Sequence, residues 1–199
     1  TLGAKDHLEA INVPGRESLL QSCGKPLGDT RIKLLGPDGQ EAPPGEIGEV
    51  TVKGGKTMLG YWRNPEANAA VMNGGWVRLG DLGVRDQQGY LYIVGRKHDM
   101  IVSGGENIFP HEVENTIYAN PKILEVAVFG IPDPKWVEAV AAAVVLKDGF
   151  QAEPGEIIAA CRERLAGYKC PKQVFFTSEL PKNPAGKILK RQLRETYGA

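Results

Sequence analysis

Along the first half of the chain, apolar residues come in short runs broken by glycine and proline. Thr30 to Leu35 and Glu46 to Lys53 read as two strands joined through Gly36-Pro37-Asp38-Gly39 and Pro43-Pro44-Gly45, an arrangement that predicts a β-hairpin. Asn64 followed by Pro65 predicts a capped short helix running to Val71, ended by Asn73-Gly74-Gly75. Strands return at Trp76 to Leu79 and Gly89 to Val94. No helix in this half is expected to be long enough to cover a parallel sheet, so the pattern predicts a small barrel-like or twisted-sheet unit.

Beyond Arg96 the period changes. Pro110 to Tyr118 places Val113 and Ile117 on one helical face, and Leu124 to Ile131 and Ala139 to Lys147 are apolar runs of strand length. Glu153 to Leu165 reads as a second amphipathic helix, Gln173 to Phe176 as a strand and Lys187 to Tyr197 as a closing helix. The expected fold class is α+β: a strand-rich, barrel-like subdomain over residues 1–96, then a compact α/β domain over residues 97–199. The charged tetrapeptide Arg96-Lys97-His98-Asp99 divides the two compositions.

The 199 residues are enough for two small domains or one larger one. Twenty-four basic residues balance twenty-four acidic ones, leaving no overall field to draw in nucleic acid or an anionic membrane. Cys23, Cys161 and Cys170 are odd in number and lack metal-ligand spacing, which fits free thiols in a reducing compartment. No apolar run has the length of a transmembrane segment, and the chain opens at Thr1 without a signal-like stretch, as expected for a piece of a longer protein.

Three stretches carry chemistry. Pro181-Lys182-Asn183-Pro184-Ala185-Gly186-Lys187-Ile188 holds one lysine on a proline-braced, glycine-containing loop, a way to deliver a compact positive charge to phosphate and carboxylate oxygens. Gly75-Trp76-Val77-Arg78-Leu79-Gly80-Asp81-Leu82-Gly83 sets a carboxylate between glycines, where it could accept hydrogen bonds from a ribose or simply complete a turn. Gly95-Arg96-Lys97-His98-Asp99 leads through Met100-Ile101-Val102 into Ser103-Gly104-Gly105-Glu106-Asn107, whose paired glycines permit either a tight turn or close approach to a narrow ligand. In this order the three resemble the carboxyl-terminal part of the acyl-adenylate-forming enzymes, most closely the acyl-CoA synthetases. The resemblance runs from about Ser22-Cys23-Gly24-Lys25-Pro26-Leu27 to the end of the chain.

The resemblance implies that Asp81 and Arg96 hold the ribose of ATP, although this chain has Leu79 where the family usually has threonine. The plainer reading of Arg96 is a surface ion pair with Asp99 or Glu112. His98 falls at the family's hinge position, usually lysine or aspartate; a histidine there would make domain switching pH-dependent near neutrality, and a His98→Lys enzyme with an unchanged pH profile would remove that idea. Gly104 and Gly105 would line the tunnel for the pantetheine arm of CoA. Trp136 stands at a position that contacts CoA in some members, with Val137 where glycine is usual. Lys187 would meet the acyl carboxylate and the α-phosphate during adenylation, whereas by itself it reads as a solvated lysine at a helix start. Lys169 and Lys172 could meet the CoA nucleotide phosphates or form a solvated face, the default also for Lys190, Arg191 and Arg194.

The family's phosphate loop and its adenine- and magnesium-binding segment are absent from this sequence. The resemblance therefore implies that residues 1–96 are the last subdomain of a larger adenylation domain, cut from its neighbours, and that residues 97–199 are its mobile lid. The expected full enzyme is a cytoplasmic, ATP-dependent acyl-CoA synthetase acting on a carboxylic acid, fatty or otherwise apolar, with ATP, CoA and Mg2+; the Mg2+ would be held mainly by the missing part and no metal by this one. The fragment is expected to be inactive alone and to self-associate through uncovered apolar surface. Two alternatives stay open: a non-catalytic CoA- or partner-binding module, and the lid of a carrier-protein-loading adenylation domain.

Overall fold

The computed structural model describes residues 1–198, which divide into two compact units, Thr1–Lys97 and the residues from His98 onward. In the first unit, β1 (Arg31–Leu35) and β2 (Ile47–Lys53) form the expected antiparallel hairpin, with Arg31 opposite Lys53 and Leu35 opposite Glu49. The long strand β4 (Trp76–Arg85) pairs along β2, while its other edge takes β3 (Met72–Asn73) near its start and β5 (Leu91–Arg96) near its end. All these pairings are antiparallel, and the sheet is a half-barrel. Leu34, Val50 and Leu91 pack on one another, joined by partly buried Ile32 and Val52.

Helix α2 (Pro65–Val71) begins as its sequence dictates: Asn64 Oδ1 accepts the Ala67 amide at 3.0 Å and Pro65 takes the first turn, where an amide would have no partner. The chain did not announce α1 (Ala4–Asn12), which lacks a Ser, Thr or Asn cap and begins at Gly3. Asp6 supplies the reciprocal half of a capping box from inside the first turn, accepting the Gly3 amide at 2.8 Å. Its other oxygen accepts the Tyr90 hydroxyl at 2.7 Å, tying the helix to the segment before β5. That bond, with burial, pushes the Tyr90 phenol up to about 12.

The second unit is a five-stranded mixed sheet with helices on both faces. β9 (Val137–Leu146) is central, antiparallel to β8 (Ile123–Asp133) and parallel to β10 (Gln173–Phe176). A small hairpin, β6 (Ile101–Ser103) and β7 (Glu106–Ile108), joins β9 through one residue pair, Ser103 with Val137. The near-continuous apolar runs of β8 and β9 reflect burial on both sides. Val126, Val128, Val140, Ala142 and Val144 face α3 (Pro110–Tyr118) and α4 (Pro154–Arg162), whereas Ala127, Phe129, Ala141 and Ala143 share the other core with Leu193 of α5 (Lys190–Tyr197). Tyr197 stacks on Phe175 with ring centroids 4.3 Å apart. The α+β expectation, strand-rich half first, is borne out.

Candidate functional site

In the first unit, Asp81 and Arg96 meet. They stand opposite each other in the β4–β5 ladder, and Arg96 Nε lies 3.3 Å from Asp81 Oδ1. The expected alternatives for Arg96, Asp99 and Glu112, are paired elsewhere, with His98 and Lys169. Asp81 does not sit in a loop after a strand ending at Leu79; β4 continues through it. What the glycine does is build a bulge. Between the pairs Thr51–Arg78 and Glu49–Leu82, three residues of β4 (Leu79, Gly80 and Asp81) oppose Val50 alone. Gly80 absorbs the extra length at φ +73°, a region open to glycine without steric cost. Both partners keep access to solvent, the Asp81 side chain at 29% and Arg96 at 46%. The carboxylate can thus still accept ribose hydroxyls while the guanidinium orients it.

A second carboxylate lies close by in the ladder. Glu49 is buried, accepts the Lys97 ammonium at 2.9 Å and has Arg78 at 3.9 Å. Sequence reasoning passed over it, although a glutamate inside the apolar alternation of β2 was a usable signal. Lys97, the last residue of this unit, is therefore anchored to β2.

In the second unit, Gly104 and Gly105 form the two-residue turn of the β6–β7 hairpin, both at positive φ (+61° and +89°). The turn is present, and the close approach at Gly104 is to a neighbouring side chain, Trp136. A Cβ on Gly104 would lie 2.8 Å from Trp136 Cε3, and the Gly104 amide donates to the Trp136 carbonyl at 2.9 Å. Gly105 has open space where a Cβ would go. The structure thus brings Gly104, Gly105 and Trp136 together, with Lys135 Nζ 4.5 Å above the indole. Val137, where glycine was expected, carries φ +72°, a left-handed conformation that costs a branched side chain about 1–2 kcal/mol.

Lys187 is not at a helix start; α5 begins at Lys190. It instead closes a tight hairpin in which Lys182 bridges Ile188, the Asn183 carbonyl accepts from Gly186 (2.8 Å), and the Asn183 amide donates to the Lys187 carbonyl (2.9 Å). Asn183 Oδ1 also takes the Ala185 and Lys187 amides at 3.0 and 2.9 Å. The loop is therefore a braced turn. Lys182 Nζ fixes it to β8 through Glu125 Oε1 at 2.7 Å. Lys187 is exposed and makes no ion pair among the described residues. His98 is exposed, 3.6 Å from Asp99 Oδ1. Lys169 is engaged by Glu112 at 2.7 and 2.8 Å, which leaves it poorly placed to greet a free phosphate, and Lys190 is held by Glu114 at 2.7 Å instead of lying on a solvated face. Among the described residues no cluster of three His, Cys, Asp or Glu side chains could hold a metal ion, and no helix is long and apolar enough to cross a membrane.

With this geometry in hand, the chain belongs to the adenylate-forming enzymes and corresponds to their carboxyl-terminal part. Residues 5–62 match the model of the AMP-binding enzyme family and residues 112–187 that of the AMP-binding enzyme C-terminal domain. A feruloyl-CoA synthase of Amycolatopsis sp is 49% identical over 89% of this chain and 36% of its own length. A long-chain-fatty-acid–CoA ligase of Escherichia coli O6:H1 is 45% identical over 87% of this chain and 31% of its own length. Among solved structures, the o-succinylbenzoate CoA synthetase of Bacillus subtilis with its acyl-adenylate intermediate superposes at TM-score 0.85, with 39% identity over 94% of this chain and 37% of that one. The same enzyme has been solved with ATP and magnesium ion, and matches at 41% identity over 87% of this chain and 35% of that one, TM-score 0.81. The chain spans about a third of the length of the relatives it matches.

Proposed function

We propose that the full protein carrying this chain is an AMP-forming acyl-CoA synthetase, with residues 1–96 closing its adenylation domain and residues 97–199 acting as a lid that serves two half-reactions. The observation that carries this reading is the placement of the two candidate sites on the second unit. The Lys187 hairpin is fixed near the start of β8, at Glu125, whereas the Gly104 hairpin is fixed beyond its end, next to Asp133. The eight residue steps between Glu125 and Asp133, at roughly 3.3 Å each, set the two anchoring points about 26 Å apart along the strand. On the synthetase reading, two groups anchored that far apart on one unit reach a single reacting centre only in turn, which is what a rotating lid would accomplish.

In the first step the substrate carboxylate attacks the α-phosphorus of ATP and pyrophosphate leaves. Asp81, oriented by Arg96, holds the ribose, and the exposed Lys187 ammonium offsets charge that develops between the carboxylate and the α-phosphate. Mg2+ and the triphosphate belong to the part of the enzyme beyond this chain. In the second step His98 serves as the hinge, and the Gly104–Gly105 turn with Trp136 lines the path of the pantetheine arm. The CoA thiol, as thiolate, then attacks the acyl carbonyl carbon and AMP leaves. The acid is proposed to be fatty or otherwise largely apolar; feruloyl and long-chain acyl groups, which give two relatives their names, both have large apolar parts. A cytoplasmic location follows from the use of ATP and CoA.

The test separates the steps. In the full protein, Lys187→Ala should lower ATP–pyrophosphate exchange by about 10²-fold or more, the scale of one preorganised charge, while thioester formation from supplied acyl-adenylate is retained. Exchange at the parent rate in that variant would remove Lys187 from the mechanism. Exchange catalysed by the 199-residue chain alone would overturn the whole reading.

A further inference from the structure

The β6–β7 hairpin is poorly tied by backbone ladder bonds: only the pair Ser103–Val137 joins it to β9. The Val102 amide, which would otherwise seek a β9 carbonyl, donates instead to Glu138 Oε2 at 2.8 Å. Glu138 reaches it by lying across Gly130 of β8, where any Cβ would come within 2.6 Å of Glu138 Oε1. On the other side of the Ser103–Val137 pair, the Trp136 carbonyl takes the Gly104 amide. That carbonyl is itself fixed, because Asp133 Oδ1 accepts both the Lys135 and the Trp136 amides at 2.8 Å. Three consecutive residues, Trp136 at the end of the β8–β9 turn and Val137 and Glu138 at the start of β9, thus grip three consecutive residues of the glycine hairpin. The grip includes a charged acceptor on a backbone amide, a bond of roughly twice ordinary strength.

We propose that Glu138 is a positioning residue for thioester formation: its carboxylate, seated over Gly130, fixes the strand that presents Gly104 and Gly105, and so sets the mouth of the pantetheine path. The assignment rests on the synthetase reading for its consequence, though not for its geometry. Glu138 touches no substrate; it acts through Val102. Removing the carboxylate frees a backbone amide and lets the hairpin pivot about its single pair with β9.

The experiment uses the full protein with Glu138→Ala and Glu138→Gln, the latter keeping an oxygen acceptor in place. Amide hydrogen exchange at Val102 and Gly104 should speed by about tenfold in the alanine variant, the scale of one charged hydrogen bond to a backbone amide, and recover in the glutamine variant. The KM for CoA should rise and the thioester-forming rate fall by about the same factor, with ATP–pyrophosphate exchange held within about twofold of the parent. Unchanged amide exchange overturns the proposal. So does a parallel loss of both half-reactions that glutamine fails to rescue, since that marks general destabilisation. If the parent forms no thioester, the synthetase reading fails and amide exchange alone decides the grip: faster in alanine and restored in glutamine supports it, unchanged overturns it.

Discussion

Val137 shows how much a single backbone angle can carry. Its φ of +72° is one of two non-glycine positive values among the described residues, and it belongs to a β-branched residue whose side chain is largely exposed, so no packing compensates for the strain. Val137→Gly should therefore stabilise the second unit by about 1 kcal/mol, the relief of the left-handed conformation less the extra chain entropy that glycine loses on folding. A melting temperature that rises by several degrees would agree with this, and one that falls would mean that the valine makes contacts worth more than its strain. The residue preceding it in the chain, Trp136, was legible as a candidate, and so was the oddity of valine at this place. The sign of φ was not, because it depends on how Asp133 folds the turn. Likewise Asp81 and Arg96 could each be singled out, but their ion pair could not, since strand register brings them together across fifteen positions of sequence.

At the level of elements, the second unit was the more readable half. Its long strands β8 and β9 are buried on both faces, so composition alone marks them, and the expected bounds of α3 and β10 agree with the observed ones, whereas the short, partly exposed strands β6 and β7 were not foreseen. Elements that depend on glycine were harder, because the same residue ends a strand, bulges it or turns it. β4 was expected to end before Gly80 and instead bulges there; the closing helix was expected from Lys187 and instead a hairpin intervenes, turning at Gly186 with φ +78°. The two turns then differ in what an added methyl would meet. At Gly186 a Cβ finds nothing within 4 Å, whereas at Gly104 it strikes the Trp136 ring. Gly186→Ala should cost about 1 kcal/mol, the conformational term alone, and Gly104→Ala distinctly more. Urea midpoints of the two variants measure the difference, and equal losses would show that Trp136 yields freely.

For the molecule as a whole, two of its physical properties can be read from charge and surface. Cys161 sits in the core of the second unit, where burial first and the neighbouring Cys170 second push its thiol up to about 11. Because the folded value is the higher one, the unfolded chain ionises first; this contribution is complete below the ordinary thiol value and is lost as pH rises toward about 11. Cys161→Ala should accordingly flatten the fall of unfolding free energy across that alkaline window, whatever it does to stability at neutral pH. The second property is self-association. In the first unit Leu8 and Ile11 of α1 are 61% and 70% exposed, and Leu59 and Trp62 are 100% and 86% exposed, large apolar groups that a free surface seldom shows together. The formal net charge is zero, so no long-range repulsion keeps copies apart. The 199-residue chain should therefore show a weight-average mass that rises with concentration in sedimentation, and the pair Leu59→Ser and Trp62→Ser should reduce that rise while leaving the fold intact, because neither side chain is part of a core cluster. A monomer at every concentration would mean that these groups fold back on the chain in solution, and would count against the proposal that the rest of a larger enzyme covers them.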